Sequence, residues 1–300
     1  MNRHIFIDQL KNKWDQGKFM CLGLDPKLEK LPEHLKSQGI KGFRTFLMEL
    51  VDSTADIVLA YKPNIAFYEF DAEAEQILQE VTAYIHHQYP EIPVIVDAKR
   101  GDIANTNLGY AQSFWERYQF DATTVHNYLG PETYPPFLNT PGKGIISMCK
   151  TSNPDSAFYQ DLVIDLATSL KDGLITSEEM KNITKVTGSP KAPLYFIVAY
   201  RHGLLSQKNP NIGIVVGATH PECFEPVRKL FGDGPILIPG IGTQGGSLEL
   251  TLKFAPNRKG QGMIINSGSS IIFADSTKDF AKTARQKTLA LHQQIVAILK

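Results

Sequence analysis

Val94-Ile95-Val96-Asp97-Ala98-Lys99-Arg100-Gly101-Asp102-Ile103 decides the reading of this chain. Three apolar residues run straight into Asp97 and Lys99, and Pro93 and Gly101 bracket the run as a short buried strand. Strand side chains alternate, so Asp97 and Lys99 share a side, about 7 Å apart along the chain. Asp102 falls beyond the strand, on the turn into the next helix. A lone Asp-x-Lys is most often an ion-paired strand end without chemistry. Recurrence changes that weighting. Phe19–Leu24 runs into Asp25, Ile57–Tyr61 into Lys62, and Ile145–Cys149 into Lys150. Barrel enzymes carry their chemistry at such C-terminal strand ends.

Outward from this strand, apolar runs alternate with helical patterns. Helices are predicted over 3–17, 39–55, 70–87, 105–119 and 277–298, and strands over 19–24, 57–62, 94–100, 122–126, 144–150, 212–217, 235–239 and 262–266. This alternation implies parallel pairing with right-handed crossovers. Residues 153–192 break the rhythm with Asn153-Pro154, Asp172-Gly173 and Gly188-Ser189-Pro190, and are read as an insertion with a short helix near 160–170. About forty residues are too few for an independent core. Residues 193–205 fit a strand by composition. They equally fit a helix opened by Pro193 that buries Leu194, Ile197, Val198, Leu204 and Leu205. Taken as helix, the segment leaves eight strands. The expected fold is therefore α/β, a (β/α)8 TIM barrel forming a single domain over 1–300 with an insertion after strand five.

The totals are those of a soluble globular protein, with 42% hydrophobic and 21% charged residues. Lys+Arg and Asp+Glu are both 31, so bulk charge offers no attraction to nucleic acid or an acidic membrane. No 18-residue apolar window and no signal peptide is seen, and Cys21, Cys149 and Cys223 are isolated. Buried free thiols in a cytoplasmic protein follow. No metal-ligand spacing is found, and neither metal nor cofactor is expected.

Gly240-Ile-Gly242-Thr-Gln244-Gly-Gly246 matches G-x-G-x-x-G, but no acidic residue ends the following strand, where Asn266 stands. Glycines here let backbone N–H groups approach a phosphate, and barrels commonly hold phosphate after strands seven and eight. Those loops are Gly240–Gly246 and Ser267–Ser270, so a phosphorylated substrate is the better reading.

With these residues assembled, nearly the whole chain resembles the orotidine 5′-monophosphate decarboxylases. The resemblance rests on Asp97-Ala-Lys99-Arg-Gly-Asp102-Ile103, the family's Asp-x-Lys-x-x-Asp signature. Leu22-Gly-Leu-Asp25-Pro, Tyr61-Lys62-Pro-Asn64, Gly217-Ala-Thr219 and Pro239-Gly-Ile-Gly-Thr-Gln244-Gly-Gly occur in the right order. The length and the insertion are similar to the longer-chain branch. The resemblance implies that Lys99 protonates C6 of the pyrimidine as CO2 leaves. Asp97 would lie beside the substrate carboxylate, with Lys62 and Asp102 completing an alternating charge array. It further implies a homodimer in which Asp102, Ile103 and Thr106 reach the neighbouring subunit's site. Asp25 would bind the ribose hydroxyls, Ser152 the pyrimidine, and Gln244 the phosphate, together with the Gly242 turn.

One departure stands out. The family usually places an Arg on the phosphate after the last strand, where this chain has Ser267-Gly268-Ser269-Ser270-Ile-Ile-Phe-Ala with Ser269 at the Arg position. Backbone amides of Gly268 and Ser269, or a cation such as Arg258, are the substitutes the sequence offers. Two rival readings are a metal-dependent sugar-phosphate decarboxylase or aldolase of the same superfamily, and a non-catalytic nucleotide binder suggested by Ser269.

Overall fold

The computed structural model describes residues 5–241 and 245–300. Ten strands are present among the described residues: β1 (Met20–Gly23), β2 (Ala60–Lys62), β3 (Ile95–Arg100), β4 (Ala122–Val125), β5 (Gly144–Lys150), β6 (Val163–Asp165), β7 (Lys191–Pro193), β8 (Ile212–Val216), β9 (Ile236–Ile238) and β10 (Met263–Ser267). Eight of them form one sheet in the order β2-β1-β10-β9-β8-β5-β4-β3. Parallel bridges Tyr61–Val94 and Asn64–Asp97 join its two ends. This is the (β/α)8 barrel expected from the alternation, and the eight strands are those the sequence marks. β1, β2, β4, β8 and β9 are buried at every position, as strands covered on both faces must be.

Packing divides the chain into two compact units. The first runs to Ile146 and resumes at Ile264, and the second is Ser147–Met263. In the first unit the helix Ala72–Gln88 starts at Asp71, whose carboxylate accepts from the N–H groups of Glu73 and Ala74. It buries Ile77, Leu78, Val81 and Ile85 along one stripe. This docking sets the approach to β3, which carries Asp97 and Lys99.

In the second unit, residues 153–192 hold more structure than a single short helix near 160–170. Four-residue and six-residue helices span Ala157–Gln160 and Leu166–Lys171, and β6 pairs antiparallel with β7. An eleven-residue helix, Ser177–Thr187, follows a capping box in which Thr176 and Glu179 satisfy each other's backbone N–H. That Thr-x-x-Glu pattern is the local signal the sequence reading passed over. The ambiguous segment after Pro193 is helix, Leu194–Lys208. Its buried side is not the one expected: Ile197 is buried, Tyr195, Phe196, Ala199 and Tyr200 are buried with it, and Leu204 is exposed. Gly203 explains the rotation. A Cβ there would meet the Leu230 carbonyl oxygen at 2.7 Å, so the helix Phe224–Phe231 packs closely against that face.

Among the described residues no helix is long and apolar enough to cross a membrane. Cys21, Cys149 and Cys223 are free and buried. Burial pushes all three thiols up, Cys21 to about 12 and Cys223 to about 11, so none is a ready nucleophile.

Candidate active site

Three charged side chains of the first unit meet at the ends of β2 and β3. Asp97 Oδ2 accepts from Lys62 Nζ at 3.2 Å, and Asp97 Oδ1 accepts from Lys99 Nζ at 2.6 Å. The three differ sharply in exposure: 5% for the Lys62 side chain, 16% for Asp97 and 53% for Lys99. Lys62 is thus a fixed cation at the base, and Lys99 carries its ammonium to the open side. A lysine as buried as Lys62 costs several kcal/mol in lost hydration unless a counter-charge compensates. Burial alone would lower its pKa, but Asp97 and Asp25 outweigh burial and hold it above the ordinary lysine value. Burial would likewise raise Asp97, yet Lys62 and Lys99 keep it well below the usual carboxylate range. The array is therefore cation, anion, cation.

Lys99 does not continue the strand regularly. Its φ is +47°, in the left-handed region that a side-chain-bearing residue occupies at a cost of about 1–2 kcal/mol. Strain at a functional side chain persists only where its surroundings enforce it. Here the enforcing residue is Thr124 of β4, whose Oγ1 accepts from the N–H groups of Ala98 and Lys99, each at 3.0 Å. The same hydroxyl donates to Asp97 Oδ1 at 2.9 Å. One buried hydroxyl thus fixes both the backbone under Lys99 and the carboxylate facing it. The sequence did not mark Thr124, because a threonine inside Ala-Thr-Thr-Val is also what an ordinary strand contains. Thr124→Val keeps the shape and removes the hydroxyl, leaving two N–H groups unpaired. It is expected to lower kcat by about 10- to 100-fold and stability by about 2–4 kcal/mol, read by steady-state rates and urea unfolding.

Asp25 follows β1 and accepts from the Asn64 N–H at 2.8 Å. Burial raises its pKa, against the pull of Lys62. Gly23 and Gly268 approach closely beside it: a Cβ on Gly23 would lie 3.1 Å from Gly268 Cα and 3.5 Å from Asp25 Oδ2. Ser269 begins the short helix Ser269–Ile272 directly after β10. Asp25, Gly268 and Ser269 therefore cluster where β1 and β10 end.

Asp102 is not brought into the array of its own chain. Its Oδ1 accepts from the Ile103 N–H at 2.7 Å, and among the described residues it forms no ion pair. The reason lies in the backbone turn at Gly101, where a Cβ would strike His126 at 2.8 Å. From there Asn107 takes over, accepting from Asp102 N–H and donating to Asp102 O. Ile103 (61% exposed) and Thr106 lie on the outside of the chain.

In the second unit, Ser152 follows β5 and is half-buried. Arg258 has an 88% exposed side chain 3.8 Å from Asp233. Gly242 and Gln244 lie outside the described residues. Among the described residues no three His, Cys, Asp or Glu side chains are grouped to hold a metal ion.

The sequence profile of the "Orotidine 5'-phosphate decarboxylase / HUMPS family" matches residues 18–284. The chain is 40% identical over 291 residues to orotidine 5'-phosphate decarboxylase of Cupriavidus metallidurans, covering 97% of each chain. It is also 40% identical over 292 residues to the Cellvibrio japonicus protein of the same name, again covering 97% of each. Among solved structures it is similar to Leishmania donovani UMP synthase (TM-score 0.80, 31% identity), covering 99% of this chain and 57% of that longer one. Leishmania donovani OMP decarboxylase has a TM-score of 0.74 at 30% identity, with 96% of this chain and 99% of that one covered. With a match over most of its length and the Lys-Asp-Lys array in place, this chain belongs to the orotidine 5'-phosphate decarboxylase family.

Proposed function

We propose that this protein converts orotidine 5′-monophosphate to UMP and CO2, a step of pyrimidine biosynthesis, using its own side chains and no cofactor. The observation that carries the reading is the cation-anion-cation array with Lys99 on its open side. The bond from C6 to the carboxylate breaks, its electron pair stays on C6, and CO2 departs. Lys99 Nζ delivers a proton to C6 and regains one from water. Before that step the ammonium stabilises charge developing on C6, and Lys62 holds Asp97 ionised and in place. Asp97 lies beside the substrate carboxylate. Asp25 takes the ribose hydroxyls and Ser152 the pyrimidine, while Gln244, Gly242, Gly268 and Ser269 take the phosphate.

The active unit is a homodimer in which Asp102, Ile103 and Thr106 enter the partner's site. The outward Ile103, Leu108 and Tyr128 (61%, 55% and 91% exposed) supply apolar surface for that contact, and among the described residues Asp102 forms no ion pair. Three unpaired, buried thiols suit the cytoplasm. Loss of ultraviolet absorbance from added orotidine 5′-monophosphate, with chelator present, tests the reaction. A folded protein that binds UMP tightly and turns nothing over would overturn it.

Ser269 carries a second expectation. An Arg at this position would add a charge-assisted contact to the phosphate worth about 1.5–3 kcal/mol. Ser269→Arg is therefore expected to lower KM by about 10- to 100-fold with kcat little changed. An unchanged KM would show that the phosphate is already fully held.

A further inference from the structure

The loop after β5 is tied down on two sides within the second unit. Lys150, the last residue of β5, has a buried side chain (1% exposed), and Nζ donates to Asp161 Oδ1 at 2.6 Å. Gln160 engages Thr151 with both ends of its amide. Oε1 accepts from Thr151 N–H at 2.9 Å, and Nε2 donates to Thr151 Oγ1 at 2.8 Å. Thr151 Oγ1 in turn donates to Asn153 Oδ1 at 2.6 Å. Adjacent residues at the end of the helix Ala157–Gln160 thereby grip the two residues just before Ser152.

The loop after β8 supplies the other side. Gly217 N–H donates to Lys150 O at 2.8 Å, and Thr219 Oγ1 donates to Ser152 O at 3.4 Å. A Cβ on Gly217 would come within 2.8 Å of Ser152 N, Cα and Cβ, so the two backbones are in contact. Among the described residues the Ser152 hydroxyl itself takes no hydrogen-bond partner. The restraints fall on the Ser152 backbone and on the residues flanking it, which is how a side chain is aimed while its polar group stays available.

We propose that Gln160 and Asp161 are positioning residues, clamping Lys150 and Thr151 so that the Ser152 hydroxyl meets the pyrimidine at a fixed angle. The proposal rests on the reading of Ser152 as the pyrimidine contact. Neither clamp residue touches substrate. Their effect on catalysis passes through Ser152 alone, and this separates a positioning role from a general contribution to folding.

The test is a double-mutant cycle on the whole protein with orotidine 5′-monophosphate as substrate, accompanied by thermal unfolding. Ser152→Ala is expected to lower kcat/KM. Gln160→Ala is expected to lower it by about 10-fold, and to add no further loss in the Ser152→Ala background. Losses that multiply, or no loss from Gln160→Ala alone, would overturn the proposal while leaving Ser152 as the contact. No loss from Ser152→Ala would overturn that reading and the proposal with it. Should Gln160→Ala fail to fold, Thr151→Val removes the hydroxyl end of the same clamp, and the cycle is read in the same way.

Discussion

Lys99→Ala is expected to lower kcat for orotidine 5′-monophosphate by about 10^4-fold or more while the protein stays folded. Two contributions disappear together: the proton delivered to C6, worth about 10^2- to 10^4-fold, and the cation beside the developing charge, worth another 10^2- to 10^3-fold where water is excluded. Folding is spared because the ammonium is half in solvent, where an ion pair contributes about 0–1 kcal/mol, and because Asp97 keeps Lys62 at 3.2 Å. A companion substitution separates catalysis from backbone strain. Lys99→Gly removes the same ammonium but adopts φ +47° without penalty. It should be as inactive as Lys99→Ala and more stable than it by about 1 kcal/mol. Rates followed by absorbance and stabilities from urea unfolding check both halves. Turnover of Lys99→Ala within 10-fold of wild type would remove Lys99 from the mechanism.

The barrel was legible because its strands are apolar runs, each closed by a charge or a turn, and the array was legible because two of those charges share one strand. What escaped did so for local reasons. The segment after Pro193 is apolar nearly all round, so periodicity could not choose helix over strand, nor find the side that Gly203 lays against Leu230. Asp97 and Lys99 were expected about 7 Å apart along a regular strand, and their side chains meet at 2.6 Å with Lys99 out of strand geometry. No residue type announces that turn, since lysine has no preference for positive φ. Its cause is Thr124, 25 residues away, whose hydroxyl acts only through tertiary contact. Asp102 enters the array only through the resemblance, which sends it to the neighbouring subunit, and within its own chain Asn107 holds the Asp102 backbone at both N–H and O.

Asp97→Asn should be the more damaging change to the fold, and its cost should depend on pH in a specific way. Asp97 is the hydrogen-bonded counter-charge of Lys62, whose side chain is 5% exposed, so neutralising it leaves a buried ammonium with only Asp25 in support. Breaking one side of such a pair costs about 3–5 kcal/mol near neutrality. In the wild type the depressed Asp97 carboxyl contributes stability that is present above the unfolded value of about 3.9 and is lost as pH falls toward its folded value. The raised Lys62 contributes stability that is fully present below about 10.4 and is lost only as pH rises through its folded value. In the variant, burial pulls Lys62 down instead. The unfolded chain then binds more protons than the folded one as pH climbs toward 10, and the variant gains stability there. The difference between the two proteins should thus be greatest around neutral pH and shrink at both ends, below about pH 4 as pH falls toward the depressed Asp97 value and toward pH 10 as Lys62 sheds its charge. Urea unfolding of both proteins at about pH 2.5, 7 and 10 reads this directly. A difference that stays flat across that range would mean that Lys62 does not depend on Asp97 for its charge. Activity should fall with the array, by about 10^3-fold in kcat at neutral pH, because an amide neither orients Lys99 nor keeps Lys62 in place.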